Sequence, residues 1–467
     1  MIASSIQVKD ISLPAPTIPA AMPRFTSSDF GARIDKLRAA MESRGLDYII
    51  VYGDVTAFAN VYYLTGYDVK FEQTLLVVPQ GRPPILMVGH EGLPYSNISP
   101  LEDLEKWLVP SFSLQGQPRR GSVDIEDVFT RAGLAHGHKV GIIGEKYYPE
   151  FSHSSQRIDA PAYMVDAVRA QVGTKNVANV TDIMTDPEHG LKHHLTAKEI
   201  AYMENSTRYV YAGVKHVLDN LRFGMSETEA APLLTYTGVV PLSYPIIFGF
   251  EDYAFYGLTS PQPDSILQPG GFVHFGFGQW GGNIARGGLA AHGPEDLPEE
   301  RKRVVEDLYI PYFQALARWY ETIRVGMPAG DVYAAVQDFV ENEAFGVTLN
   351  PGHLIHWDEW THSPFYANSP TVLHSGMGVQ CDIISFPGKP YFGVQVEDGI
   401  VLADDTLQQE IAGQFPDVAE RIAARRRFMK EQLGIVVHDS VLSMSDMQAV
   451  LFPYLMNTQV ALSIDRG

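Results

Sequence analysis

The chain has 467 residues, 45% hydrophobic and 19% charged, with a formal net charge of −20, the length of two or three domains and the composition of a soluble globular protein. The acidic balance argues against nucleic acid or an anionic membrane as partner, since both need basic surface, and no run approaches the roughly 20 apolar residues of a bilayer-spanning helix. A single cysteine, Cys381, forbids an internal disulfide and suits a reducing, cytoplasmic setting.

No basic region followed by an apolar core opens the chain, so a secretory leader is not expected. Residues 1–25 are rich in Pro and Ala without a period and read as an extended arm, either disordered or laid against a partner subunit. From Ser27 the pattern becomes regular: Phe30, Ile34, Leu37 and Met41 fall at helical spacing, and Gly45 is the stop. "YIIVYG" follows as a buried strand, then a short helix, then "TLLVVPQGRPPILMV" as two strands around a Gly-Pro turn. With "KVGIIG" as a further strand, an alternating α/β domain occupies residues 26–185.

A second section starts at "LTAKEI", where Thr196 and Glu199 form a capping-box pattern ahead of a helix expected to reach Leu221. It ends in Leu221-Arg-Phe-Gly224-Met225. A second long helix, expected from about Glu299, ends in the matching Ile323-Arg-Val-Gly326-Met327. The match points to an internal duplication within residues 190–405, two similar α+β halves with a cleft between them. Residues 406–467 read as a helical extension, with "VAERIAARRRFMKEQLG" its basic helix and an apolar tail packed on the fold or in an oligomer interface.

These motifs together resemble the creatinase and Xaa-Pro aminopeptidase superfamily, peptidase family M24. "NVYYLTGY" is similar to a segment of its N-terminal domain, and "LTAKEI" to the start of its catalytic domain. "LQPGGFVHFGFG", "NPGHL", "HSGMGVQCDII" and "GVQVEDGIVLAD" follow in the order of its catalytic strands. The resemblance implies an α/β N-terminal domain, a pita-bread catalytic domain, and a homodimer in which the N-terminal domain of one chain reaches its partner's cleft. Lys70 and Glu72 would then line the neighbouring site. It also implies a site. The metallopeptidases hold two divalent ions on two aspartates, a histidine and two glutamates. His353, Asp382 and Glu397 correspond to the last three, but the first aspartate falls on Gly276 and the second in the window Asn283 to Gly287, which holds no acid. A histidine that usually precedes these strands falls near Tyr256, which could donate a phenolic proton instead.

A two-ion centre needs several anionic oxygens between its cations, so losing two carboxylates argues against one. The expectation is therefore an enzyme without metal or with one divalent ion (Zn, Fe or Mn), closer to creatinase than to the dinuclear peptidases. His274, two before Gly276 and on the same strand face, reads either as a fourth ligand beside His353, Asp382 and Glu397 or as a hydrogen-bonded core histidine. His353, presented after a Pro-Gly turn, reads as the acid/base residue. Asp382 and Glu397, acids in apolar strands, would have pKa values pushed apart. His362 and Trp357 read as substrate contacts or packing, and Arg286 as a substrate carboxylate ligand or a surface residue. His356 and Asp358 alternate away from His353; Asp398 and Cys381 alternate away from the site.

The expected activity is hydrolysis of a C–N bond in a small polar nitrogenous molecule, His353 activating water while Asp382 and Glu397 orient the nitrogen. Two rivals stand beside it: a metal-dependent lyase resembling dimethylsulfoniopropionate lyase, and a binding protein on a decayed peptidase scaffold.

Overall fold

The computed structural model describes residues 6–251 and 258–466, and they divide into two compact units: residues 24–193, and residues 194–467 together with 1–23. Strand β1 (Ile6–Asp10) belongs to the second unit despite its place in the chain.

The first unit is built on strands β2 (Tyr48–Gly53), β3 (Thr74–Pro79), β4 (Ile85–Val88), β5 (Glu105–Leu108), β6 (Val140–Ile143) and β7 (Val177–Asn179), in the order β5-β4-β3-β2-β6-β7. β2 and β6 run parallel, as do β6 and β7, whereas β3 is antiparallel to both its neighbours. The helix Ser27–Arg44 starts in a capping box of Thr26 and Asp29 and stops at Gly45, whose φ of 64° suits glycine best.

The second unit is built on β8 (Ile247–Phe250), β9 (Phe272–Gln279), β10 (Gly282–Leu289), β11 (His353–Leu354), β12 (Gly378–Gly388) and β13 (Phe392–Leu402), in the order β11-β12-β13-β10-β9-β8, with β14 (Val441–Ser443) pairing β13. Its two halves repeat in detail. After the helix Ala197–Asn220, Gly224 takes φ 86° and donates to Leu267 O; after the helix Ile310–Thr322, Gly326 takes φ 87° and donates to Leu373 O. Leu267 and Leu373 in turn donate to Met225 O and Met327 O. The first helix packs on β9 and β10, the second on β12. The second helix is regular only from Ile310, not from Glu299 as its pattern predicts. A π-turn, Val305–Tyr309, precedes it, and Pro311 has no N–H to continue the ladder backwards.

The extension past residue 405 is only partly helical. The helices Asp405–Gln414 and Pro416–Phe428 are followed by β14 and by β15 (Val460–Ile464), which pairs antiparallel with β1. The N-terminal arm is therefore held by its own chain: beyond β1, the Tyr209 and Tyr211 hydroxyls donate to Pro19 O and Pro14 O, and Arg208 to Thr17 Oγ1. The basic helix is held by charge as well as by its apolar face. Glu204, fully buried on the helix Ala197–Asn220, accepts hydrogen bonds from Arg421 and forms an ion pair with Arg425, at 2.7 Å in each case. No described helix is long and apolar enough to cross a membrane.

Candidate active site

Strand alternation sorts β9, β10, β12 and β13 into two faces. Val273, Phe275, Phe277, Ile284, Val379, Cys381, Ile383, Val394 and Val396 join the hydrophobic core. The other face carries the chemistry, and the register lines it up in ranks. Gly276 pairs Ala285, Ala285 pairs Glu397, and Glu397 pairs Asp382. One rank of four thus runs across four strands, with carboxylates at two positions and none at the two contributed by the first half. Ala285, inside the window expected from the motifs, is the residue that pairs with both Gly276 and Glu397. A neighbouring rank holds His274, Gly287 and Gln395, and on the other side His353 pairs Gln380.

Four amide or imidazole side chains knit the two acids together. Gln395 Nε2 donates to Asp382 Oδ1 at 3.0 Å and to Glu397 Oε2 at 3.2 Å, while its Oε1 accepts from His274 Nε2. Asn283 Nδ2 donates to Glu397 Oε1 at 2.6 Å, and Gln380 Nε2 to the same oxygen at 3.3 Å. Asn283 Oδ1 accepts the Tyr244 hydroxyl. These donor directions are mutually consistent, so each amide orientation is set by its neighbours.

His353 is fully buried. Its Nδ1 faces Leu354 O at 3.3 Å, and its ring stacks on Trp360 with centroids 4.1 Å apart. Its Nε2 lies 3.3 Å from Glu359 and 3.6 Å from Glu397, without an aligned hydrogen bond to either. Glu359 reaches this position because the chain doubles back after β11: Leu354 N donates to His362 O at 2.7 Å and Thr361 N to Leu354 O at 3.0 Å. The extended geometry that alternation assumes ends at Ile355, which is why Glu359 does not stand out from the sequence despite lying six residues from His353.

Burial disfavours the charged forms of all these groups, and their mutual placement decides which yields. Burial raises Glu397, and the nearby Asp382 charge raises it further; Asp382 is raised by burial against the opposing attraction of His353. Burial alone would depress His353, but the Glu359 and Glu397 carboxylates lift it well above the ordinary histidine value. His274 is depressed by burial, which suits a neutral ring donating to Gln395. Burial, reinforced by the surrounding acids, keeps the Tyr244 phenol protonated.

A cavity of about 810 Å³ opens over this face, lined by His274, Gly276, Ala285, Glu359, Trp360, Asp382, Gln395 and Glu397 with Tyr244 and an apolar wall. Tyr244 accounts for two glycines. A Cβ on Gly276 would stand 3.2 Å from the Tyr244 hydroxyl, and one on Gly278 would stand 2.3 Å from its ring. The phenol thus lies against the strand beside Gly276, the position facing Ala285 in the rank. Gly278→Ala is expected to destabilise the protein by about 1–3 kcal/mol, the usual cost of overpacking, and thermal unfolding would measure it. An unchanged melting temperature would show that the ring moves aside freely.

The assignment of Arg286 is corrected, and the other candidate residues take the following places. Arg286 is neither at the surface nor in the cavity: next to Ala285 it faces the opposite way, buried, paired with Asp398 at 2.8 Å and donating to Ala285 O, Glu397 O and Met447 O. Trp357 is buried against Tyr202 and His356, and Trp360 takes the cavity wall instead. His362 closes the turn through its backbone and is absent from the cavity lining. Within their own unit, the Glu72 carboxylate accepts the Gly92 and Glu91 amides and Lys70 pairs with Asp68. His274 and Asp382 line the cavity, but the ligand atoms lying within 4.8 Å of one another are those of His353, Glu359 and Glu397 among the described residues. Tyr256 lies outside the described residues.

Comparisons with known proteins agree with this architecture. Residues 33–116 match the creatinase/prolidase N-terminal domain, and residues 201–404 match metallopeptidase family M24. No curated protein was found to match the chain. Among solved structures, an Xaa-Pro dipeptidase from Bacillus anthracis is 16% identical, covering 81% of this chain and 96% of its own with a TM-score of 0.59. A prolidase from Pyrococcus horikoshii OT3 is also 16% identical, with 80% and 95% covered and a TM-score of 0.59. An X-Pro aminopeptidase from Thermotoga maritima MSB8 is 13% identical, with 79% and 95% covered and a TM-score of 0.61. At these identities the likeness is one of fold. With both family domains in their expected order on a duplicated second unit, the chain belongs to the creatinase and M24 peptidase superfamily.

Proposed function

We propose that this protein hydrolyses a C–N bond in a small nitrogenous molecule by acid–base chemistry of its own side chains, and that it is not a two-ion peptidase. The observation that carries the reading is the His353 Nε2, buried between Glu359 and Glu397 beside a cavity whose other two carboxylate positions are Gly276 and Ala285.

The charges around His353 alter the role its motif suggests. An imidazole flanked by two carboxylates is held protonated, so it is suited to give a proton to the departing nitrogen rather than to take one from water. Glu359, at the cavity wall, is the base. It takes a proton from the attacking water as oxygen bonds to the substrate carbon; His353 then delivers its proton to nitrogen as the C–N bond breaks. The proton on Glu359 returns to His353 across 3.3 Å, and the cycle closes. Asp382 and Glu397, tied to each other through Gln395, hold the substrate nitrogen.

The donor set around His353 fits one divalent ion, held by His353, Glu359 and Glu397, which would polarise the substrate and acidify a bound water. It does not fit two. Half of the four-carboxylate rank is missing, the Tyr244 hydroxyl stands over Gly276, and amide N–H groups face Glu397. Equilibrated with Zn²⁺ or Mn²⁺ and freed of excess, the protein is expected to retain no more than one ion per chain by elemental analysis. Two would sink this reading. The activity itself is tested by a hydrolysis screen over amides, amidines and guanidines. A hit whose turnover survives loss of both His353 and Glu359 side chains would remove them from the chemistry.

A further inference from the structure

The cavity has a charge pattern that narrows what it can take, and the inference rests on the hydrolase reading above. We infer that the substrate is a cationic amidine or guanidine, or an amide that carries an ammonium group, with an otherwise uncharged apolar body and no carboxylate, and not an amino acid or a dipeptide.

Three observations converge. The floor is acidic: Asp382, Glu397 and Glu359 all face the cavity, and no lysine or arginine lines it among the described residues. The arginine closest to the site along the strands, Arg286, directs its two terminal guanidinium nitrogens to Asp398 and three backbone carbonyls on the opposite face. His353 lies between two carboxylates already, and His274 donates to Gln395. A substrate carboxylate would therefore enter beside three acidic side chains whose one neighbouring cation, the His353 imidazolium, is already flanked by two of them, a desolvation and repulsion cost that a lone ammonium group escapes.

The walls are the second feature. Ile246, Ile247, Leu258, Leu349, Ile384 and Phe386 surround the acids, so the ligand's remaining surface is matched to hydrocarbon. The third is aromatic: Trp360 and Tyr244 border the acidic floor, and aromatic rings tolerate a nearby cation better than an anion. Volume does not discriminate, since about 810 Å³ would admit a dipeptide; charge does.

Calorimetric titration of the full chain with three probes of one skeleton isolates the carboxylate: phenethylamine, phenylalanine and 3-phenylpropionate. Phenethylamine is expected to bind at least tenfold tighter than phenylalanine, phenylpropionate not to saturate, and Glu359→Gln to weaken phenethylamine at least fivefold. Phenylalanine binding as tightly as phenethylamine, no saturable binding of phenethylamine, or an affinity untouched by Glu359→Gln would each overturn the inference. Because this reads binding, it separates from the hydrolase reading: a preference for the amine in a protein that turns over no amide, amidine or guanidine supports the ligand class and removes the hydrolysis.

Discussion

Replacing His353 with alanine should lower turnover by about 10³-fold, in the middle of the range attributed to one acid–base group, while leaving the far-ultraviolet circular dichroism unchanged. The size follows from position. Nε2 is the only described imidazole nitrogen set between two carboxylates at the cavity, and the cycle proposed for the proton passes through it in both directions. The ring is also a packing element against Trp360, so His353→Gln, which keeps much of the volume, separates chemistry from packing. Both variants should be equally inactive. Recovery of more than a tenth of the activity in the glutamine variant would mean that the imidazole fills space and another group moves the proton.

The second large effect concerns pH and stability. Glu397, Asp382 and His353 all have pKa values above their ordinary ones in the folded state: the acids by burial first and, for Glu397, the neighbouring Asp382 charge, and His353 by the carboxylates that outweigh its burial. The folded chain thus holds protons that the unfolded chain has released. Where the native state binds more protons, stability falls as pH rises. For the two acids this loss begins above the usual carboxyl range and is complete once pH passes their raised values. For His353 the contribution is intact below about 6.5 and disappears as pH climbs through its raised value. Denaturant titrations between pH 5 and pH 9 should therefore show a decline, and Glu397→Gln should flatten it. Relative to the parent, the variant should gain about 2–4 kcal/mol across that interval, roughly what two or three units of displaced pKa are worth. It should also be inactive, which would place a destabilising charge at the site for function. Parallel pH curves for the two proteins would show that Glu397 is ionised normally.

The parts of this site that could be read along the chain are those governed by strand period and motif order. Asp382 and Glu397 face the cavity because they sit on the same face as their rank partners. Gly276 falls in the same rank as those two acids, and alternation sends Cys381 and Asp398 away from the site, as expected. The same period, applied to its end, would have placed Asn283, Gln380 and Gln395 on the cavity face too; polar amides in apolar strands were the available signal. It would also have turned Arg286 away from the cavity. Glu359 and Tyr244 are different. The first depends on the turn closed between Leu354 and His362, the second on a loop laid across β9, and neither contact has a sequence period. The glycines at 276 and 278 hint that something lies close to that strand but not what.

The pairing of β1 with β15 has a consequence for synthesis. The catalytic unit contains both the first and the last strands of the chain, with residues 24–193 inserted between them. A ribosome delivers the inserted unit whole while Val460–Ile464 is still unmade, so that unit can fold in the nascent protein, and β1 must wait for its partner until those residues have been made. An N-terminal segment exposed for that interval is where chaperones or proteases would first meet this protein, and deleting residues 1–23 should lower its yield in cells more than its catalytic rate once folded.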